Sequence, residues 1–318
     1  MLKSLKFAKY RLILRVIEEV RLPEYPGSAF RGGFGHALRR VSCAIRDGEC
    51  PTCLLVNSCV YAYVFETPLP PNTEVLSKSS HVPHPFVIDP HADGQRTYAR
   101  GETFDLYLVL IGRAIEYLPY FIVAFEELGR MGIGKERGRY RLEEVLSLGP
   151  EEEVLVYSGR ERRFYSSGIV IIPDALINKN KGKVEQVEVE FVTPTRLKYL
   201  ERLTSQVEFH LLLRTLLRRI SSLIYFHCGE RLNLDFKGTI EAAKAVFVEK
   251  NDLEWWDWER YSARQGERMK LGGVVGRIAY RGPLTPFIPY LLLGEYIHVG
   301  KGTSFGLGQM RLHWSESL

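Results

Sequence analysis

Four of the five cysteines fall within one short stretch and have the spacing of metal ligands. Cys43, Cys50, Cys53 and Cys59 form the pattern C-x6-C-x2-C-x5-C, and the Cys-Pro-Thr-Cys turn lets two thiolates reach one ion. Four sulfurs complete a tetrahedral shell with no open position, so the pattern predicts a structural zinc in a loop at residues 43–59. An iron–sulfur cluster, which also takes four thiolates, and free thiols are the alternatives.

Two glycine-rich stretches, one late in each half of the chain, are the second candidate for chemistry. Residues 129–142 read GRMGIGKERGRYRL, and residues 293–312 read LGEYIHVGKGTSFGLGQMRL. Glycine has no Cβ, so its backbone N–H groups stay open to a phosphate. The stretches therefore predict a phosphate-binding turn in each half. The alternative is that these stretches are tight turns that bind nothing, because such turns also need the backbone freedom of glycine.

Positive charge is concentrated around certain segments rather than spread over the chain. The 43 Lys and Arg against 38 Asp and Glu give a formal net charge of only +5, so a nucleic-acid surface has to come from local clustering. The clustered cations are Arg130, Lys135, Arg137 and Arg139 in one segment, and Arg260, Arg264 and Arg268 in another. The aromatic residues Trp255, Trp256, Trp258 and Tyr261 lie beside the second cluster, where unpaired bases can stack on them. A solvated charged face and core tryptophans are the alternatives.

Two of the eight histidines are candidates for acid–base chemistry. His36 lies among small residues on a predicted helix, a face that permits close approach of a ligand or of another helix. His298 precedes the second glycine stretch with Lys301, which places an acid–base group beside a predicted phosphate cradle. A structural role is the alternative for each histidine.

Several enzyme classes lack their signatures in this chain. No stretch fits the P-loop, and the dinucleotide fingerprint requires a helix after the glycines, whereas a strand is predicted here. The HExxH metal motif and the GxSxG nucleophile motif do not occur either. We therefore expect neither ATP nor NAD chemistry, and no catalytic metal.

Composition and length predict a globular protein with two domains. The chain is 45% hydrophobic and 25% charged, and its 318 residues exceed what one core usually supports. The longest uncharged aromatic–aliphatic run, residues 117–125, is too short to cross a bilayer. The N-terminal residues mix cations with apolar residues and show no cleavage site, so we expect a cytoplasmic protein with reduced thiols.

The elements that have to position these residues repeat along the chain. Alternating apolar residues at 8–16 and the run at 103–111 predict strands, and helical spacing from Leu118 to Leu128 predicts a helix. The second half repeats this order, with an alternating strand at 187–191 and the strongest helix signal at 209–224.

We therefore predict a duplicated unit, with domains at residues 1–155 and 156–318 and one glycine-rich stretch late in each. Coincidence among the 28 glycines is the alternative.

The sequence also resembles CRISPR-associated precursor-RNA-processing endoribonucleases of the RAMP (repeat-associated mysterious protein) superfamily. The resemblance rests on FRGGFGHALRRVSC with the following C-x2-C and Cys59, and on YVFETPLP, PHPFVI, FVTPTRLK, RYSARQ and, most specifically, GEYIHVGKGTSFGLGQMRL. It spans nearly the whole chain. It implies an α+β fold of two tandem ferredoxin-like domains, the first with a cysteine-bearing insertion, and a basic face that binds repeat RNA.

The resemblance also implies site residues. Many members take a catalytic histidine from the first helix region, where His36 is the only histidine. His298 and Lys301 match the C-terminal motif, whose backbone N–H groups are expected to hold RNA phosphate. The predicted RNA contacts within this motif are Gly300, Gly302, Ser304, Gly306 and Gly308.

RNA chemistry fixes what such an enzyme has to do. The 2′-hydroxyl lies next to the scissile phosphate, so the protein aligns it, takes its proton and protonates the leaving 5′-oxygen. We expect cleavage without a metal, a 2′,3′-cyclic phosphate product and CRISPR repeat RNA or crRNA as the partner of a monomer or dimer that contacts no membrane. The alternatives are a non-catalytic RAMP subunit that holds guide RNA with other CRISPR effector subunits, and a thiolate-metal redox or sensor protein.

Overall fold

The computed structural model describes residues 2–45, 48–69, 82–90, 94–177, 182–199, 202–262 and 267–314. The chain divides into two compact units. The first, here called the N-unit, comprises Lys6–Ile171 and Tyr225–Gly229. The second, the C-unit, comprises Met1–Leu5, Ile172–Ile224 and Glu230–Leu318.

The N-unit is built on one antiparallel sheet with two helices. Its elements are β1 (Phe7–Val16), β2 (Val20–Arg21), α1 (Gly27–Ser42), β3 (Phe86–Pro90), β4 (Thr97–Tyr98), β5 (Thr103–Ile111), α2 (Leu118–Met131), β6 (Tyr140–Leu148), β7 (Glu153–Ser158) and β8 (Arg163–Phe164). The sheet order is β3-β5-β1-β6-β7-β8, while β2 and β4 form a separate ribbon. The path β1-α1-β3-β5-α2-β6 is therefore ferredoxin-like.

The C-unit repeats this path. Its elements are α3 (Pro173–Ile177), β9 (Gln186–Thr195), β10 (Leu197–Tyr199), β11 (Arg202–Thr204), α4 (Phe209–Leu223), α5 (Phe236–Ala243), β12 (Phe247–Trp256), β13 (Glu259–Ser262), β14 (Glu267–Lys270), β15 (Gly273–Arg281), α6 (Ile288–Ile297) and β16 (Met310–His313). The main sheet order, β12-β15-β9-β16, matches β3-β5-β1-β6 of the N-unit, and all of its pairings are antiparallel. Two ferredoxin-like units in tandem confirm the predicted fold class.

The two glycine-rich stretches occupy equivalent places in this path. One joins α2 to β6 in the N-unit, and the other joins α6 to β16 in the C-unit. In both units, that connection leads from the last helix into the strand that borders the first strand of the sheet. The duplication therefore extends to the segments in which the sequence predicts phosphate binding.

The N-unit ends later than the predicted boundary at residue 155. Its sheet continues through β7 and β8, and Ile171 pairs with Phe7 at the start of β1. The backbone N–H of Ile171 donates to the carbonyl of Phe7 at 2.7 Å, and that of Phe7 donates to Ile171 at 3.2 Å. These hydrogen bonds hold residues 156–171 on the first unit.

Close packing of α1 against α2 leaves one face of α1 at the surface. The Phe34 ring stacks on Phe121 and Phe125, with ring centroids 4.9 and 5.1 Å apart. A Cβ placed on Gly33 would lie 2.5 Å from a methyl carbon of Leu128, so glycine permits this approach. Aromatic pairs of this kind add about 0.5–1.5 kcal/mol to the burial of their area. The packing fixes α1, which carries His36 on its exposed face.

Helix α4 forms the centre of the C-unit core. Its buried apolar residues recur at helical spacing, as Leu212, Leu216 and Ile220 do at four residues apart. The Phe209 ring contacts Tyr280 of β15, with centroids 5.2 Å apart. The predicted helix at 209–224 and the predicted strand at 103–111 are both confirmed. Within the described ranges, no helix is long and apolar enough to cross a membrane.

Candidate nucleic-acid interface

The segment between α6 and β16, residues 298–309, is here called the glycine loop, and its shape requires glycine. Four of its glycines have left-handed backbone angles, with φ of +89° at Gly300, +78° at Gly302, +83° at Gly306 and +73° at Gly308. A Cβ placed on Gly308 would lie 1.8 Å from the carbonyl oxygen of Val299. The loop therefore combines backbone angles and contacts that other residues cannot adopt without strain.

The end of β9 and Arg196, the residue after it, hold the glycine loop through hydrogen bonds. The Thr193 hydroxyl donates to the carbonyl of Gly306 at 2.8 Å and accepts from the N–H of Gln309 at 2.9 Å. The N–H of Gly308 donates to the Pro194 carbonyl at 3.2 Å, and the N–H of Lys301 donates to the Arg196 carbonyl at 3.1 Å. Residues of the motif FVTPTRLK thus form the hydrogen bonds that hold the motif GEYIHVGKGTSFGLGQMRL in place.

The glycine loop exposes only its first part. Lys301 is exposed and Gly300 and Gly302 are half-buried, whereas Ser304, Gly306 and Gly308 are buried. The first three can meet a ligand at the surface. The buried residues among the predicted RNA contacts, Ser304 included, form the inner wall that gives the loop its shape.

His298 lies inside the loop rather than on its surface. Its side chain is buried, with 2% of the residue exposed, and its φ is +60°. The ring Nδ1 lies 3.3 Å from the carbonyl oxygen of Leu307. The structure therefore separates His298 from Lys301, which the sequence places three residues away, and the imidazole supports the loop from within.

A buried arginine, which the sequence analysis did not identify, holds the start of the loop. The Nε of Arg219 donates to the carbonyl oxygen of Ile297, the last residue of α6, at 2.9 Å. Burial lowers the pKa of Arg219 to about 9, so the guanidinium still carries its charge at pH 7. A cation at a helix C-terminus is favourable because the helix dipole is negative there. The sequence signal that could have identified this arginine is its position three residues after Leu216, within the apolar stripe of α4.

The glycine turn of the N-unit, residues 132–139, is tight. The four predicted cations in and beside it fall into two groups, one paired with carboxylates and one unpaired among the described residues. The N–H of Ile133 donates to the carbonyl of Gly138 at 2.9 Å, which closes the turn. Arg139 pairs with Glu18, and Arg130 pairs with Glu126 and Glu127. The Arg139 guanidinium lowers the pKa of the Glu18 carboxyl.

The other two predicted cations of this turn differ from Arg130 and Arg139. Lys135 and Arg137 are exposed, and no carboxylate in the described part of the chain forms an ion pair with either of them. The predicted cationic cluster of the N-unit is therefore half compensated by acids. Lys135 and Arg137 remain as its candidates for phosphate contact.

His36 is accessible on α1. Its side chain is exposed and makes no hydrogen bond with any residue that the structure describes. One turn earlier, a Cβ placed on Gly32 would meet open space. One turn later, Arg40 pairs with Glu127 of α2 at 2.9 Å. A ligand can therefore approach this histidine, next to a cation that is already paired.

The second predicted cluster is only partly described. Arg264 lies outside the described residues, and for Arg260 in β13 and Arg268 in β14 the description covers the backbone alone. Among the neighbouring tryptophans, Trp258 is buried and Trp255 is 42% exposed. The side chain of Tyr261 lies outside the description, and Trp256 is half-buried.

The predicted four-thiolate site does not form among the described residues. All four cysteines are half-buried, yet no three His, Cys, Asp or Glu side chains in the described ranges converge on a common point. The Cys43 thiol donates to the carbonyl of Ile45 at 3.1 Å, and burial with the nearby Glu66 raises the pKa of the Cys50 thiol. The zinc, and the iron–sulfur alternative, stay predictions.

Two family models match the chain, one in each half. A model named AF_1859_N, described as an N-terminal domain, matches residues 5–168. A model for the CRISPR-associated endoribonuclease Cas6 matches residues 189–310. The second match contains both the end of β9 and the glycine loop.

Individual relatives match over nearly the full length. A protein of Archaeoglobus fulgidus, named only as uncharacterized, is 28% identical over 311 residues, which cover 92% of this chain and 93% of the relative. A product complex of Thermus thermophilus Cas6 has a TM-score of 0.59 at 18% identity, covering 96% of this chain and 99% of that one. A chain of a partial Cas6-RT-Cas1–Cas2 complex has a TM-score of 0.61 at 14% identity, covering 98% of this chain and 47% of that one. At these identities, the two structures show a shared fold.

The first prediction concerns the shape of the glycine loop. We expect Gly308→Ala to lower the free energy of unfolding by more than about 2 kcal/mol, because it adds a left-handed alanine and a clash with the Val299 carbonyl. Urea unfolding followed by tryptophan fluorescence measures this change. Gly182→Ala, where a Cβ meets open space in the same unit, is the control. Equal stability of the two variants would show that the loop tolerates a side chain there.

The second prediction concerns the cysteines. If the quartet binds zinc, the purified protein contains one zinc per chain, and Cys50→Ser releases it and lowers the melting temperature. Native mass spectrometry and thermal unfolding measure both effects, with Cys228→Ser, outside the quartet, as the control. A parent protein that contains no metal and has the same melting temperature as Cys50→Ser would show that the zinc prediction is wrong.

Proposed function

We propose that the protein, whose residues 189–310 match the model of the CRISPR-associated endoribonuclease Cas6, binds CRISPR repeat RNA and cuts it into guide RNAs. One observation carries the proposal. The segment matched by the Cas6 family model contains a glycine loop that the end of β9 fixes and that presents Lys301 at the surface. A rigid, side-chain-poor turn with one exposed cation suits a ribose–phosphate backbone.

Phosphate binding is proposed at exposed and half-buried positions of both glycine segments. In the C-unit these are Gly300, Lys301 and Gly302, and in the N-unit they are the uncompensated Lys135 and Arg137. Arg130 and Arg139 contribute less, because their paired carboxylates cancel most of their charge. Specificity for one repeat then has to come from contacts to bases, which phosphate contacts do not read.

The proposed reaction is a transesterification within the RNA. The 2′-oxygen forms a bond to phosphorus, the bond from phosphorus to the 5′-oxygen breaks, and the proton lost by the 2′-hydroxyl is balanced by one gained by the leaving 5′-oxygen. The products are a 2′,3′-cyclic phosphate and a 5′-hydroxyl. The nucleophile belongs to the substrate, so we propose that cleavage proceeds without a metal.

His36 is the proposed proton-transfer residue. An imidazole transfers protons efficiently near neutral pH, and this one is exposed on a helix face that glycine keeps open. The burial of His298 favours a supporting role for that ring instead. Lys301, in the C-unit, is the candidate for binding the non-bridging oxygens of an RNA phosphate.

One observation favours the alternative, a RAMP subunit that binds guide RNA without cutting it. A general base is usually oriented by a hydrogen bond from a third group, and His36 has no such partner among the described residues. The two functions differ in one outcome, since both bind the RNA and only one cleaves it.

The third prediction separates these functions. In EDTA, we expect the protein to cleave its cognate repeat RNA, and we expect His36→Ala to slow cleavage by about 10²- to 10⁴-fold at unchanged Kd, because only a proton transfer is lost. Single-turnover cleavage and fluorescence anisotropy measure the two quantities. His210→Ala, on α4 of the C-unit, is the control.

Three results would argue against parts of this account. RNA that stays intact while tightly bound would favour the guide-holding subunit. Cleavage that stops in EDTA would overturn metal independence. Cleavage by His36→Ala at the parent rate would remove His36 from the reaction.

A further inference from the structure

Arg196 is a cation fixed at the edge of the glycine loop. It directly follows β9, is half-buried, and donates from Nε to the carbonyl oxygen of Gly272 at 3.1 Å. Its own carbonyl accepts from the N–H of Lys301. A Cβ placed on Gly300 would lie 2.7 Å from that carbonyl oxygen, so the loop backbone touches Arg196 directly. The Nε hydrogen bond holds the guanidinium beside Gly272, next to the loop.

The charge of Arg196 has no acidic partner. No carboxylate in the described part of the chain forms an ion pair with it, and burial alone lowers its pKa. Among the other arginines whose side chains are described above, Arg130 and Arg139 are paired with acids, Arg137 is exposed, and Arg219 lies at a helix C-terminus. A half-buried cation without a counter-charge is unfavourable for folding, so an anion that binds there gains more than it would at an exposed lysine. Because Nε is already used, the terminal nitrogens are left to form a bidentate contact, which suits phosphate.

An exposed indole lies close to Gly272. A Cβ placed on Gly272 would lie 2.7 Å from Nε1 of Trp255, so the residue that holds Arg196 also contacts this ring. Trp255 Nε1 donates to Oδ1 of Asp257 at 2.9 Å, which fixes the ring and occupies that carboxylate. The ring is 42% exposed on the edge strand β12.

We propose that Arg196 and Trp255 form a subsite for one unpaired nucleotide, in which Arg196 binds the phosphate and Trp255 stacks on the base. The subsite rests on the proposed function, because it continues the phosphate-binding surface of the glycine loop. It selects single-stranded RNA, since the bases of a duplex already stack on each other and offer no free face.

The fourth prediction tests the subsite by RNA binding. We expect Arg196→Gln to weaken binding of single-stranded repeat RNA roughly tenfold and to lower the slope of log K against log salt by about 0.7, the value for one lost phosphate contact on a single strand. Arg196→Lys is expected to keep the salt slope and to lower the affinity, because lysine retains the charge but cannot form the bidentate contact of a guanidinium. Trp255→Ala weakens binding by about five- to a hundredfold, and Trp255→Phe keeps most of the affinity.

Two further measurements make the test specific. The double variant Arg196→Gln/Trp255→Ala is expected to lose less than the two single losses combined, because both act on one nucleotide. Arg281→Gln, which removes a C-unit arginine paired with Glu249, is the matched control and leaves the slope unchanged. Fluorescence anisotropy at four salt concentrations and urea unfolding of each variant supply the data.

The outcomes separate the subsite from the proposed function. A parent protein that binds no repeat RNA would overturn the proposed function. A parent that binds RNA, with Arg196→Gln and Trp255→Ala binding equally well at the same slope, would overturn the subsite alone. Weaker binding by Arg196→Gln at an unchanged salt slope, together with a lower unfolding free energy, would assign Arg196 to structure and also overturn it.

Discussion

The contact between the end of β9 and the glycine loop is the constraint on which the functional surface depends. In a ferredoxin-like unit, the connection from the last helix to the last strand passes beside the carboxyl end of the first strand. Here that end supplies a hydroxyl and two carbonyls as hydrogen-bond partners of the loop. The loop meets them only with left-handed backbone angles, which explains its glycines. Its rigidity, and the position of Lys301, follow from the fold.

The charges of the molecule fall into paired and unpaired groups, and the unpaired ones indicate the partner. Surface pairs such as Arg139 with Glu18 contribute little to stability, because solvent screens them, and they neutralise one another. Lys135, Arg137 and Arg196 have no such partner among the described residues. Because they lie in or beside the two equivalent glycine segments, the uncompensated charge coincides with the least obstructed backbone. A polyanion meets both features at once, whereas a net charge of +5 alone says little about partners.

Much of the fold was predictable because its signals are local. Alternation along β1 and the helical stripe of α4 follow directly from burial of one face, and the repeat of glycine segments indicated the duplication. Helix neighbours also decide part of the charge pattern. Arg130 pairs with acids three and four residues earlier, which the spacing alone suggests.

What the sequence did not reveal depends on contacts between distant segments. Glu18 meets Arg139 only because their segments come together in the fold, and the burial of His298 follows from the path of the loop. Arg196 gained its role from a carbonyl in the turn before β15. The cysteine spacing, by contrast, is a strong local pattern that the described structure does not gather into one site.

In the proposed reaction, the protein aligns the RNA and transfers protons, whereas the RNA supplies the nucleophile. One substitution in the RNA tests this division most directly. A repeat RNA with a single 2′-deoxy nucleotide at the scissile position keeps every phosphate and base. We expect the parent protein to bind it with unchanged Kd and to leave it uncut, even when magnesium is added. Cleavage of this RNA at the same bond would mean that water or a hydroxide attacks the phosphate, and would contradict the account.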